Sequence, residues 1–98
     1  MKRFVLTNPA ARDLDQIKSY LSEKSGPAVA RRVMKEIRHA LDFLGGDPRA
    51  GHVRENLTSR PVKFWTVYSY LIVYNPETRP VQITRVLHGM RDVEDILN

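Results

Sequence analysis

Apolar and polar residues follow one another along this chain in two rhythms, and the changes of rhythm mark the elements. Phe4-Val5-Leu6 is a short aromatic and branched run, which predicts a strand. It stops at Asn8-Pro9. Asn8 can cap a helix, and Pro9 suits the first helical position, where an N–H would have no partner. Ala10, Leu14, Ile17 and Leu21 then recur at spacings of four, three and four, one face of a helix over about 9–23. Arg12, Asp13, Asp15, Lys18 and Ser19 fall on the other faces. Ser25-Gly26-Pro27 interrupts this pattern, and Pro27 opens a second helix by the same logic. Its stripe is Ala30, Val33, Met34, Ile37, Ala40, Leu41 and Leu44, and Gly45-Gly46 before Asp47-Pro48 predicts its stop. The short link predicts an antiparallel helical hairpin.

Positions 47–59 are polar, contain Gly and Pro, and read as a loop with room for a short strand or helical turn. The period then shortens. Branched and aromatic residues dominate from Val62 to Tyr74, too long a run for one average strand, with Tyr68-Ser69 as the turn. Asn75-Pro76-Glu77-Thr78-Arg79-Pro80 reads as a hairpin loop and Val81 to Leu87 as the last strand, ended by His88-Gly89. Asp92 to Leu97 reads as a terminal helical turn with Val93, Ile96 and Leu97 inward. The order β-α-α-β-β-β-(α) predicts one α+β domain over 1–98, an antiparallel sheet packed against a helical hairpin. Between Phe64 and Tyr74 both sheet faces are apolar or aromatic, and two helices cover only one. Either a second chain covers the other face or an open edge strand, or the tyrosine hydroxyls face water over a small patch.

Length and composition narrow the classes. With 98 residues the chain holds one small core, and 42% hydrophobic content argues against disorder. The absence of cysteine excludes disulfide scaffolds, thiol nucleophiles and Cys-based zinc sites. No stretch of roughly 18 apolar residues appears and no secretory leader is recognisable, so a soluble cytoplasmic protein without a membrane partner is expected. The formal charge of +5 suggests an acidic partner, or only a solvated basic surface.

Part of that charge has a pattern. Arg31, Lys35 and Arg38 share one side of the second helix, where they can grip an acidic partner or be neutralised by Glu36 and Asp42. Arginine, histidine and tyrosine together could form a phosphate-handling set; the candidates are Arg60, Lys63, Arg79, Arg85, His88, Arg91, Tyr68, Tyr70 and Tyr74. Alternation aligns Arg85 with Ile83 and Leu87 but puts His88 on the opposite face, unless a bulge or strand end intervenes. The structural alternatives are an ion pair of Arg85 with Asp92 or Glu94, a His88 bonded to backbone, and tyrosines that pack the sheet. His39 and His52 lack the spacing of a metal pair, and no phosphate-cradling glycine motif occurs, so neither metal nor cofactor is expected.

Tyr70-Leu71-Ile72-Val73-Tyr74, the hairpin after it, and Ile83-Thr84-Arg85-Val86-Leu87-His88-Gly89-Met90-Arg91-Asp92 resemble the ParE/RelE superfamily of type II toxin–antitoxin toxins. The Arg-Val-Leu-His-Gly-x-Arg-Asp tail is similar to the ParE, or plasmid-stabilisation, branch. So are Pro48-x-x-Gly51-x-x-Arg54-Glu55-x-Leu57 and Pro9-Ala10-Ala11-x-x-Leu14. The resemblance implies a cytoplasmic, growth-inhibiting toxin that poisons DNA gyrase within a hetero-oligomeric complex with a cognate antitoxin, ParD-like or other. Arg85, His88 and Arg91 are the candidates for target contact. Arg31, Lys35, Arg38 and Trp65 are the candidates for antitoxin contact. The RelE-like branch implies instead a ribosome-dependent mRNA endoribonuclease, with His88 as acid or base and Arg85 on phosphate. Gly89 follows His88 where some nuclease relatives carry Tyr, and no tyrosine follows Tyr74, which favours the non-enzymatic ParE reading.

Overall fold

Two helices that each carry a proline in the first turn are joined by one residue, and that joint sets the architecture. A computed structural model describes residues 3–89 and 93–98. In it β1 (Phe4–Leu6) leads into α1 (Asn8–Ser25) and α2 (Pro27–Gly46). Gly26 alone links the helices with φ 91°, a conformation open to glycine and strained for other residues. The predicted hairpin therefore stands, with α1 running two residues further than expected. Its cap differs: the side chain of Thr7, not Asn8, accepts the Ala10 N–H at 3.1 Å. Thr7 is one residue earlier because its hydroxyl also donates to the Thr84 carbonyl at 2.8 Å, tying the helix start to the last strand.

The later strands are β2 (Lys63–Val67), β3 (Tyr70–Asn75) and β4 (Val81–His88), followed by α3 (Val93–Leu97). Sheet order is β1-β4-β3-β2. β2, β3 and β4 form the expected antiparallel meander, and β2 turns into β3 at Tyr68-Ser69. β1 departs from expectation by joining β4 in parallel, Phe4 beside Val81 and Leu6 beside Ile83. The sheet is thus mixed. The fold is α+β with the predicted element order.

The sheet is buried on both sides by its own chain. On the helix side Ile37, Leu41 and Leu44 of α2 and Ala10 and Ile17 of α1 meet Tyr70, Ile72, Tyr74, Val81, Ile83 and Val86. On the other side Phe64, Leu71, Val73 and Leu87 are covered by Leu57 and Val62 of the long loop and by Val93 and Leu97 of α3. Asn98 fastens this layer: its Nδ2 donates to the Leu57 carbonyl at 3.0 Å and its Oδ1 accepts the Thr58 hydroxyl at 2.8 Å. The apolar second face that suggested a covering partner is therefore satisfied internally. Ile96 does not face inward as expected; it is 44% exposed, because one turn of helix can aim only Val93 and Leu97 at the sheet.

Tyr74 pins the long loop to the sheet. Its hydroxyl donates to the Pro48 carbonyl and accepts the Gly51 N–H, both at 2.8 Å. A Cβ on Gly51 would collide with that hydroxyl and stand 2.9 Å from the Phe64 carbonyl oxygen. The Pro48-x-x-Gly51 spacing is thus the receptor for a buried phenol. Burial pushes the Tyr74 phenol above its ordinary pKa, opposed by the Gly51 N–H and aided by nearby Asp47. Tyr70 is raised in the same direction, by burial first and by Tyr20 second.

Tyr74→Phe should lower unfolding stability by about 1–3 kcal/mol at neutral pH, measured by urea denaturation, since the buried Gly51 N–H and the half-buried Pro48 carbonyl lose their partner. The unfolded chain loses its phenolic proton first. This contribution is therefore complete below about pH 10 and is lost as pH rises through the folded-state value. The alkaline decline in stability should be shallower in Tyr74→Phe; a decline of unchanged steepness would show that the phenol does not contribute to it.

Candidate functional site

The site grows from a gap at the edge of β4. Among the described residues β1 pairs with β4 only along Val81, Gln82 and Ile83, and no other strand lies on the rest of that edge. α1 fills the gap with a carboxylate. Asp13 Oδ2 accepts the Val86 N–H at 2.9 Å and the Arg85 Nε–H at 2.7 Å, and Oδ1 accepts Arg85 Nη2 at 2.8 Å. Asp13 is buried, at 8% exposure, and so is not on a solvent face as the helical pattern suggested. It flanks Ile17 one turn on, so it lies at the margin of the apolar stripe. The Arg85 side chain stays 30% exposed. The bond to Asp13 raises the guanidinium pKa further, against the opposing effect of burial. Asp92 and the Glu94 side chain, the partners expected for Arg85, lie outside the described residues.

A bulge reorders the faces of β4. Tyr74 pairs with Ile83 and Val73 with Arg85, so Thr84 is the extra residue. Ile83 and Leu87 consequently lie on opposite faces, in the helix-side and outer cores respectively, rather than on one face with Arg85. His88 pairs with Tyr70 at the end of the strand. Even so, Arg85 and His88 border one pocket of about 380 Å³, together with Asp13, Gln16, Ile17 and Tyr20 of α1 and Tyr70 of β3. Arg85 reaches it along the open strand edge, toward Asp13. The His88 ring lies 4.8 Å from the Tyr70 ring, tilted by 31°, and 6.1 Å from the Tyr20 ring, tilted by 51°. Gln16 and Tyr20 were not among the candidates from sequence. The available signal was their position three and seven residues after Asp13, on the same flank of α1.

The remaining candidates are dispersed. Tyr74 is fully buried and bonded to the loop. Lys63 pairs with Tyr74, at the opposite end of the sheet from His88, and its amine donates to the Arg49 carbonyl. Arg79 donates to the Pro76 and Thr78 carbonyls of its own loop. Arg60 is exposed in the long loop, and Tyr68 is exposed at the β2–β3 turn with φ 54°. Arg91 lies outside the described residues.

Arg31, Lys35 and Arg38 all stand exposed on α2. Arg38 also borders a larger groove of about 960 Å³ between β1 and the helices, lined by Phe4, Val5, Leu6, Leu14, Met34 and Ile37 among others. Trp65 is not part of that lining. Its indole packs against Phe43 with ring centres 5.3 Å apart, and His52 stacks parallel to it at 6.3 Å.

Asp13→Ala should cost about 2–4 kcal/mol by chemical denaturation, because Arg85 loses its partner and a buried N–H is left bare. Asp13→Asn, which keeps one acceptor but not the charge, should cost about half as much. Equal effects of Asp13→Ala and Asp13→Asn would show that the retained acceptor contributes nothing without the carboxylate charge.

Comparison with known proteins bears on the fold and the family. A family model described as the ParE toxin of the type II toxin–antitoxin system, parDE, matches residues 4–93. Toxin ParE3 of Caulobacter vibrioides is 30% identical over 90 residues, which cover 91% of this chain and 88% of that protein. A solved chain of the chromosomal ParDE TA system from P. aeruginosa shares the fold with a TM-score of 0.76 at 21% identity, over 89% of this chain and 95% of its own. The resemblance carried by the C-terminal tail is borne out across nearly the whole sequence: the chain belongs to the ParE toxin family of type II toxin–antitoxin systems.

Proposed function

We propose that this chain acts in the cytoplasm as an inhibitor of DNA gyrase, and that a cognate antitoxin neutralises it by filling the groove between β1 and α2. The groove carries the antitoxin part of this reading. Its floor is apolar, with Phe4, Leu14, Met34, Ile37 and Leu41, and its wall is an edge strand on which Val5 and Leu6 are each 38% exposed. Among the described residues no strand pairs with the outer side of β1. A strand or amphipathic segment can add to such an edge and seat apolar side chains on such a floor. Arg3 and Arg38 at the rim outnumber the one acidic residue there, Asp42, and with Lys35 and Arg31 farther along the α2 flank they suit acidic residues in that segment. The proposed complex is therefore hetero-oligomeric. Trp65, engaged by Phe43 and His52, serves such a partner only at the far edge of the sheet.

The gyrase part rests on family membership and on the pocket at the other end of β4. Asp13 holds Arg85 by two bonds in a bordering position, and His88 is exposed beside it. These side chains and Arg91 are our candidates for target contact. The alternative of ribosome-dependent mRNA cleavage is favoured by one observation, that Arg85 and His88 border the same pocket. It would use His88 as proton donor or acceptor and Arg85 as phosphate stabiliser.

The purified chain should block supercoiling by gyrase in vitro; undisturbed supercoiling at excess protein would refute this target. Discrete mRNA cuts in a translating extract, lost in His88→Ala, would establish the alternative. Val5→Glu should weaken antitoxin binding by about tenfold or more, measured by calorimetry, because it places a buried charge against an apolar floor.

A further inference from the structure

The pocket between α1 and the ends of β3 and β4 has a composition that a protein contact does not require. One side is aromatic, with Tyr20, Tyr70 and His88. Its apolar lining is Ile17, Val86, Leu87 and Ile96. Its polar members are the Gln16 amide, the Arg85 guanidinium and the Asp13 carboxylate, whose two oxygens are already taken by Arg85 and the Val86 N–H. Asp13 takes the Nε and Nη2 donors, so the edge of the guanidinium between its two terminal nitrogens is not the one turned to Asp13. A fixed arginine with such an edge suits a phosphate, whose oxygens accept paired N–H donors. An amide can read the edge of a base, and an exposed tyrosine and histidine offer ring faces for stacking. The volume of about 380 Å³ lies near the lower limit of small-ligand sites, which fits one nucleotide and not a longer piece of chain.

We propose that this pocket binds a single nucleotide, with the base against Tyr20 and His88 beside Gln16 and the phosphate on Arg85. The site takes an unpaired base with its phosphate, whether free or within a strand. This goes beyond gyrase inhibition and does not depend on it. Binding is read on the isolated chain, whereas the target reading fails or succeeds in the supercoiling assay.

The test is a titration of the full chain followed by amide and aromatic NMR signals, with four probes: adenosine monophosphate, adenosine, inorganic phosphate and hexathymidylate. Adenosine monophosphate should shift the Gln16, Tyr20, Val86 and His88 signals saturably, and more tightly than adenosine or phosphate. Tyr20 is 48% exposed, so Tyr20→Ala should keep its thermal midpoint. It should bind adenosine monophosphate about fivefold or more weakly, and Tyr20→Phe should restore binding, as stacking predicts. Hexathymidylate binding about tenfold tighter than the mononucleotide would identify the source as a strand; comparable or weaker binding would identify a free nucleotide. The proposal is overturned by the absence of saturable shifts up to about 10 mM. It is equally overturned by shifts confined to Arg31, Lys35 and Arg38, or by Tyr20→Ala binding as tightly as the natural chain.

Discussion

One carboxylate sets where the first helix lies on the sheet. β4 is longer than its parallel neighbour, so part of its edge would present bare N–H groups. Asp13 answers the Val86 N–H and brings Arg85 into register with the same helix. Without it, α1 would still bury Ala10 and Ile17 and be tied at its start by Thr7 to the Thr84 carbonyl, but its second turn would have no polar bond to this stretch of the strand. The pocket inherits its form from that placement. Gln16 and Tyr20 lie on the Asp13 flank of α1, and their distance from Tyr70 and His88 follows from the clamp. Packing, strand-edge protection and the candidate site are thus one arrangement.

The two ends of the sheet are organised differently. At the His88 end, titratable and aromatic side chains remain accessible around a small pocket. At the Tyr74 end, a buried phenol fastens the long loop, whose Leu57 together with Val62 then covers the outer face. That fastening lets a chain of 98 residues bury a sheet on both sides without a third long helix. It also leaves β1, the strand without a loop over it, as the apolar edge open to a partner.

Much of this was legible in the residues because it depends on local periodicity. The stripe from Ala30 to Leu44, the proline-led helix starts and the Tyr68-Ser69 turn declare themselves within a few positions. What was not legible depends on distant partners. The direction of β1 is decided by β4, and three residues carry no mark of it. Asp13 reads as solvent-facing because burial of a carboxylate requires Arg85 and Val86, which lie more than seventy positions away. The bulge at Thr84 likewise has no local signal, yet it decides which residues of β4 share a face. Leu57, Val62, Val93 and Leu97 are too scattered to announce a second core, so the outer face looked unoccupied.

The parallel pairing of the first and last strands also has a temporal side. Phe4 cannot find Val81, nor the Thr7 hydroxyl the Thr84 carbonyl, until a partner 77 positions further along has been made. Closing so large a loop is entropically slow, and it comes after the local hairpins have formed. On a ribosome, β4 must emerge before β1 and α1 have a strand to join. The groove beside β1 and the pocket under Asp13 both require that closure. A partial chain that lacks β4 therefore carries neither surface, however well its helical hairpin is formed.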